Sequence, residues 1–324
     1  MVKAISFLRW KNLGIIALIV LSLKYLVFES MIHPAGWSQF TSTFSLINTV
    51  LLIVSILMIA AGGYVINDIN DVATDRINKN DETLLMDVLS EKQAFSFYTL
   101  LTVGGIALGV YLAYSIGFYK LAFFHLFSAG LLWLYSTYFK SSVLIGNVIV
   151  ALLSALVPLC YFCFEAYAYI QSYGSIYLEL FKSYFAVGPL AGLWGYTLTL
   201  SLFAFAFTLI REIIKDLEDL EGDSMLQGQT LPLAIGSKNT LWIVRVLIVI
   251  AISSLVYCYY YKFDFFPLHE LGFQVYFYVA IITPCVLLFL ETVKKEPDYN
   301  KASTICKFIM LFGILSCYIY YSYC

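Results

Sequence analysis

Residues 45–75 read SLINTVLLIVSILMIAAGGYVINDINDVATD. Positions 45–66 carry no charged side chain, and about 20 predominantly apolar residues suffice for a helix to cross a hydrocarbon core. With no proline to stop it, the run passes straight into Asn67, Asp68, Asp71 and Asp75. The reading is a membrane helix that carries acids on its end. Eight further apolar runs, at 13–32, 94–115, 119–139, 143–164, 190–211, 240–261, 273–291 and 304–323, predict an all-α polytopic protein of nine transmembrane helices in one domain spanning 1–324.

Composition agrees. Of 324 residues, 61% are apolar and 12% charged, against about 45–50% and 25% in soluble domains; mean hydropathy is +0.84. A soluble fold and a disordered chain are both excluded. Net charge is −2 with no stripe of Lys or Arg, which excludes a nucleic-acid binder. The first run starts a dozen residues from Met1, but its apolar core is too long for a signal peptide and no small-residue cleavage site follows. Lys24 inside it must face the bundle or snorkel. Cys160 and Cys163 form C-x-x-C within an apolar run, where cysteine acts as a small hydrophobe. His33, His125 and His269 are too scattered for a triad.

Nine spans put the termini on opposite faces. Of the 19 Lys and Arg, 15 fall on the N-terminal side and 4 (Lys24, Lys120, Lys182, Lys262) on the other or near it. The positive-inside rule therefore expects a cytoplasmic N-terminus and an outer C-terminus, with acid-rich loops at about 67–92 and 212–238 in the cytoplasm. Little in the N-terminal sequence resembles an organelle transit signal, which favours a prokaryotic inner membrane.

Those two loops hold 13 of the 21 acids. The first contains Asp68, Asp71 and Asp75, the second Asp216, Asp219 and Asp223; both are D-x-x-D-x-x-x-D, offset by 148 positions. On a helix turning about 100° per residue, such positions lie within roughly 60° of one another. Three carboxylates on one face repel unless a cation intervenes. Oxygen-only donors select a hard cation, and Mg²⁺, which uses one or two carboxylates and shares substrate phosphates, fits best. Two such clusters are expected to grip a diphosphate from opposite sides. The equal offset also points to a four-helix internal repeat (spans 1–4 and 5–8) with span 9 added. Helix-end acids paired with neighbouring Lys and Arg are the plain structural alternative, weakened by the duplicated spacing.

With these motifs after the second and sixth of nine spans, the chain resembles the UbiA-type superfamily of intramembrane prenyltransferases over nearly its whole length. It is most similar to the digeranylgeranylglyceryl phosphate synthase branch through Ala61-Gly62-Gly63-Tyr64, Arg211-Glu212 leading into Lys215-Asp216, Gly222-Asp223, and Thr230-Leu231-Pro232 before Gly236. The resemblance implies a UbiA-like bundle and Mg²⁺-dependent transfer of a prenyl group from an isoprenyl diphosphate to a lipophilic acceptor, geranylgeranylglyceryl phosphate first among them. The partners implied are these substrates and membrane lipid, with no nucleic acid and no protein partner.

It also implies roles. Asn67, Asp68, Asp71 and Asp75 would hold one metal, and Asp216, Asp219 and Asp223 another. Arg9 and Asn12 match the Arg-x-x-Asn that opens the first helix near the acceptor and diphosphate. Tyr135, Lys140 and Asn147 match a Tyr…Lys…Asn stretch at the turn between helices four and five. Arg76, Lys140, Arg211 and Lys215 are the cations for the diphosphate, and Asp71, Asp75, Asp219, Lys140 and Arg9 would carry catalysis. The chain departs from its relatives in three places. Asn78–Thr83 lacks the usual Pro-x-Arg-Pro, Trp10 follows Arg9 where proline is common, and Gln229 replaces a frequent basic residue. Each change removes rigidity or positive charge near the diphosphate.

Most of the 26 Tyr and 26 Phe serve packing and the bilayer interface; a few would shield the allylic cation. The stretch 165–189 reads as an interfacial helix or a loop. An aromatic acceptor is the nearest alternative. A secondary transporter is more distant, since transporters place ionisable residues near the midplane. A CDP-alcohol phosphotransferase lacks its D-G-x-x-A-R opening here.

Overall fold

The computed structural model describes residues 9–29, 44–72, 88–140, 142–184, 189–225, 229–261 and 271–323. Among them are nine helices long and apolar enough to span a membrane and no strand. They are α1 (Trp10–Phe28), α2 (Leu46–Asn70), α3 (Glu91–Ser115), α4 (Tyr119–Phe139), α5 (Ile145–Tyr184), α6 (Pro189–Glu218), α9 (Ser237–Tyr261), α10 (Leu271–Thr292) and α11 (Tyr299–Tyr323), with short α7 (Leu220–Met225) and α8 (Leu231–Ile235) between α6 and α9. Large apolar side chains such as Leu100, Tyr114, Trp242 and Leu271 lie mostly exposed. In water they would be an aggregation hazard; in a bilayer they are the lipid-facing surface.

Most ends lie within a few residues of the apolar runs. Segment 165–189 differs: the backbone stays helical to Tyr184, so α5 is a single 40-residue helix through Pro158 rather than a span followed by an interfacial piece. Lys24 is buried, its ammonium 6.0 Å from the Tyr25 ring, and so faces protein.

The internal contacts gather into two compact units, Met1–Val20 with Ser42–Ser141 and Cys160–Gly174, and Leu21–Thr41 with Ser142–Leu159 and Ser175–Cys324. In the first unit α2 packs tightly on α3. Without a hydrophobic driving force in lipid, close helix approach relies on small residues and interhelical hydrogen bonds. Here the Ser55 hydroxyl donates to the Gly105 carbonyl at 2.6 Å. A Cβ at Gly105 would stand 2.9 Å from the Ser55 carbonyl oxygen, and one at Gly62 would stand 2.5 Å from Thr102 Oγ1. Gly63 gives the same clearance to Leu132 of α4. The Ala61-Gly62-Gly63 element is thus a seat for two neighbouring helices.

In the second unit α6 is the buried helix. Phe207, Ile210, Ile213 and Ile214 are fully enclosed and form one core with Val244 and Ile248 of α9, Leu288 of α10 and Ile309 of α11. Polar ties cross it: the Tyr276 hydroxyl donates to the Phe312 carbonyl, and Arg245 Nη2 to that of Thr292, each at 2.5 Å. The α10–α11 turn closes on the buried Glu291 carboxylate, which accepts from Lys294 Nζ at 2.7 Å and lies 3.5 Å from Lys301 Nζ. In both units, the helix carrying an aspartate motif is central and hence firmly placed.

Candidate active site

Both motifs occupy helix C-termini, where the backbone dipole presents partial negative charge and an added acid is unfavourable by about 0.3–1 kcal/mol. The sequence nevertheless places acids there twice. The helix also ends at the middle acid of each motif. Asp71 caps α2 with φ −93° and ψ 3°, and Asp219 is the bend between α6 and α7. The expected face of three acids on one unbroken helix is corrected for the second motif, where the bend at Asp219 parts Asp216 on α6 from Asp223 on α7.

In the first unit, the Asn67 side-chain amide donates to Asp71 Oδ2 at 2.6 Å, and the Asp71 backbone N–H returns to the Asn67 carbonyl at 2.9 Å. Lys140 Nζ donates to the same Asp71 oxygen. Lys140 arrives there through a π-helical turn, Tyr135–Phe139, in which its backbone N–H reaches back five residues to the Tyr135 carbonyl at 2.9 Å. Such turns concentrate at functional sites because they shift the register of everything after them. The turn also turns the Ser136 carbonyl toward the Asn70 amide, 2.9 Å away, and so fixes the end of α4 against the end of α2.

Asp68 points elsewhere. It meets Arg9 Nη2 at 3.4 Å, and the guanidinium lies 4.9 Å over the Tyr64 ring. Arg9 opens α1 in the left-handed region, φ +47°, while the Asn12 and Leu13 N–H groups close on its carbonyl. Such conformations persist in non-glycine residues where surrounding contacts impose them. Asn12 stands exposed in the same first turn. Asp75 and Arg76 lie outside the described residues.

In the second unit, the buried Asn147 in the first turn of α5 donates its amide to Asp216 Oδ2 at 2.7 Å. The Ser142 hydroxyl caps this helix by accepting from Gly146 N at 3.0 Å. Asp216 stands among like charges, with Glu212 and Asp223 in electrostatic reach and Lys215 as the opposing cation. Arg211 turns to Glu212. Lys215 lies 4.0 Å from Asp219, both side chains half exposed. The Asn300 amide donates to Glu218 at 3.1 Å. Downstream, Thr230-Leu231-Pro232 starts α8 with proline in its first turn, and Gly236 ends it at φ +83°.

Three contributors were given no role by the sequence reading: Tyr64 under Arg9, Glu212 beside Asp216, and Asn70 on the Ser136 carbonyl. Tyr64 and Glu212 each precede the first acid of their motif by four residues and so share its helix face. The 148-residue offset that relates the motifs relates them as well, a signal that was available in the sequence.

The donor set suits a hard divalent cation: among the described motif residues every ligand atom is a carboxylate or amide oxygen. No three Asp, Glu, His or Cys side chains converge into a cage among the described residues. Mg²⁺ requires none, since it keeps waters and takes substrate phosphate oxygens. A cavity of about 80 Å³ lies in the second unit, lined by Tyr196, Phe203, Tyr259, Phe277 and Gly313 among others, and Asp216 is not in its lining.

Comparison with known proteins identifies the family. Residues 31–317 match the model of the UbiA prenyltransferase family. The chain is 34% identical over 275 residues to a digeranylgeranylglyceryl phosphate synthase from Methanopyrus kandleri, covering 83% of this chain and 86% of that one. It is 29% identical over 268 residues to the enzyme of that name from Sulfurisphaera tokodaii, covering 83% and 82%. Among solved structures, that of a digeranylgeranylglyceryl phosphate synthase in membranes superposes with a TM-score of 0.64 at 21% identity over 97% of both chains. A UbiA homologue from Archaeoglobus fulgidus, bound to GPP and Mg²⁺, gives 0.60 at 16% identity over 99% of both. The chain belongs to the UbiA prenyltransferase family, an integral membrane enzyme of the prenyl-transferring class.

Proposed function

We propose that this chain transfers a geranylgeranyl group from its diphosphate to geranylgeranylglyceryl phosphate, forming an ether lipid within the membrane. The observation that carries this reading is the duplicated aspartate motif, each copy ending a central buried helix and held by an amide from Asn67 or Asn147. The relatives named above make that lipid product, and the A. fulgidus neighbour binds a prenyl diphosphate with Mg²⁺.

Asn67, Asp68, Asp71 and Asp75 would hold one Mg²⁺ and Asp216, Asp219 and Asp223 a second. Bound there, Mg²⁺ supplies charge neutralisation on the diphosphate as it leaves, without proton transfer. Lys140 adds a point charge for a diphosphate oxygen, and Arg76, next in sequence to Asp75, would be a second cation. Arg9, held over Tyr64, offers a guanidinium suited to planar phosphate recognition. Asn67 and Asn147 orient the carboxylates, so that donors are aligned before charge develops. When the allylic C–O bond breaks, the electron pair leaves with the diphosphate. The acceptor hydroxyl oxygen then bonds to the allylic carbon and loses its proton. Lipid-embedded helices keep water from the cation in between. The 15-to-4 distribution of Lys and Arg supports motifs on the cytoplasmic side of the membrane.

The test is a transfer assay on purified protein with geranylgeranyl diphosphate, with and without Mg²⁺. Geranylgeranylglyceryl phosphate, 4-hydroxybenzoate and a dihydroxynaphthoate are offered in parallel and products identified by mass spectrometry. An Mg²⁺-dependent ether lipid is expected. A prenylated aromatic instead would move the acceptor and retain the reaction class.

A further inference from the structure

The two aspartate motifs share a further feature, at a position that their acid spacing leaves unassigned. In both, the residue directly before the middle aspartate is the last of its helix: Asn70 ends α2 and Glu218 ends α6. These two are 148 positions apart, the offset that relates the aspartates themselves. Each side chain forms a hydrogen bond to a neighbouring helix. The Asn70 amide donates to the Ser136 carbonyl of α4 at 2.9 Å, and Glu218 Oε1 accepts from the Asn300 amide of α11 at 3.1 Å.

Both receiving sites are themselves fixed. In an α-helical turn the Ser136 carbonyl would take the Lys140 backbone N–H; the π turn sends that N–H to the Tyr135 carbonyl instead, at 2.9 Å. Ser136 is buried, and its carbonyl meets Asn70. Consecutive residues of α2 so grip points about one turn apart on α4: Asn70 holds Ser136, and Asp71 holds Lys140 Nζ. Asn300 lies in the first turn of α11, where the Asp298 carboxylate caps the helix by accepting from Lys301 N at 2.9 Å. Lys301 Nζ lies in turn 3.5 Å from the buried Glu291 carboxylate.

Asn70 and Glu218 are exposed, where one hydrogen bond exchanges with water and adds little to stability. Its consequence is positional. Helix ends fray, and the residue that follows each of these ends is the middle acid of its motif. Misplacing a reacting group by about 1 Å can cost on the order of 10²-fold in rate.

Resting on the prenyl-transfer reading, we propose that Asn70 and Glu218 are equivalent positioning residues. Each pins the last turn of its helix to a neighbour, and so holds the middle aspartate in place, together with Lys140 in the first motif. Asn70 acts as a donor and Glu218 as an acceptor, and neither role needs a charge.

The experiment pairs transfer kinetics of the purified full chain with acetic anhydride labelling of Lys140, quantified by mass spectrometry. Asn70→Leu should lower kcat about tenfold and label Lys140 at least threefold faster, with helical circular dichroism and melting temperature held. Asn70→Asp keeps the size but cannot donate, and should match it; Asn70→Gln keeps the amide and should stay within threefold of wild type. In a Lys140→Met background, Asn70→Leu should cost less than a further twofold, because members of one network do not add. Glu218→Leu should lose about tenfold in kcat, whereas Glu218→Gln, which keeps an acceptor, should stay within threefold. Asn70→Ala repeats the test should leucine disturb the fold. Unchanged labelling or unchanged kcat in Asn70→Leu, full additivity with Lys140→Met, or a Glu218→Gln as impaired as Glu218→Leu would overturn the proposal. Labelling needs no turnover, so its failure is separable from failure of the transfer reading, which product analysis decides.

Discussion

The ends of α2 and α6 carry the same D-x-x-D spacing and solve the same problem in opposite ways. Each places acids at a negative helix terminus. At α2 each described acid has a cation on it, Arg9 on Asp68 and Lys140 on Asp71. At α6 the first acid has only the Asn147 amide, and the middle one stands half exposed beside Lys215. The same acid spacing therefore stands in different surroundings at the two helix ends. Asp68 and Asp71 meet cations, whereas Asp216 meets a neutral amide.

Removing the carboxylates is the harshest way to break that comparison. Asp71→Ala and Asp216→Ala should each reduce transfer on the order of 10³-fold, about 4 kcal/mol of transition-state stabilisation, with helical circular dichroism retained. A variant of either that kept full activity would contradict the metal role of its motif. Lys140→Met tests the asymmetry next: kcat should fall about 10²-fold, the loss typical of one charge-stabilising donor. Lys215→Met, lacking a buried partner, should fall by less than tenfold.

Packing gives a smaller effect. Gly105→Val forces methyls toward the Ser55 carbonyl, and overpacking of this kind costs about 1–3 kcal/mol, seen as a lower melting temperature with unchanged product. Asn147→Leu leaves Asp216 without its donor; a group stripped of its hydrogen bond loses about 1–3 kcal/mol, and Mg²⁺ dependence of the rate should shift to higher concentration. Arg9→Lys is the mildest change. The pair with Asp68 is part-exposed and such pairs contribute about 0–1 kcal/mol, so stability should hold while KM for the diphosphate rises a few-fold.

Much of this was legible before any coordinates. The runs at 45–66 and 190–211 announce membrane helices by composition alone, and the acids that follow announce a cation by charge repulsion. Other features were not. A π turn at Tyr135–Phe139 leaves no trace in a hydrophobic period of 3.6, because it comes from one extra residue per turn rather than from residue type; yet it delivers Lys140 to Asp71. The bend at Asp219 parts Asp216 from Asp223, which a facing-angle argument ignores. The helix through Tyr184 was hidden because the apolar run ends at 164, where Glu165 follows, although the helical backbone continues past it. Arg9 over Tyr64 joins residues 55 positions apart, and no local pattern encodes that.

The most direct measurement of the central claim follows pyrophosphate release from geranylgeranyl diphosphate by the purified chain, with and without geranylgeranylglyceryl phosphate and with Mg²⁺ present or chelated. The account predicts release that needs both acceptor and Mg²⁺, with one pyrophosphate formed per ether lipid and none from Asp216→Ala. A folded chain that releases no pyrophosphate with any acceptor, or releases it equally well without divalent metal, would contradict it.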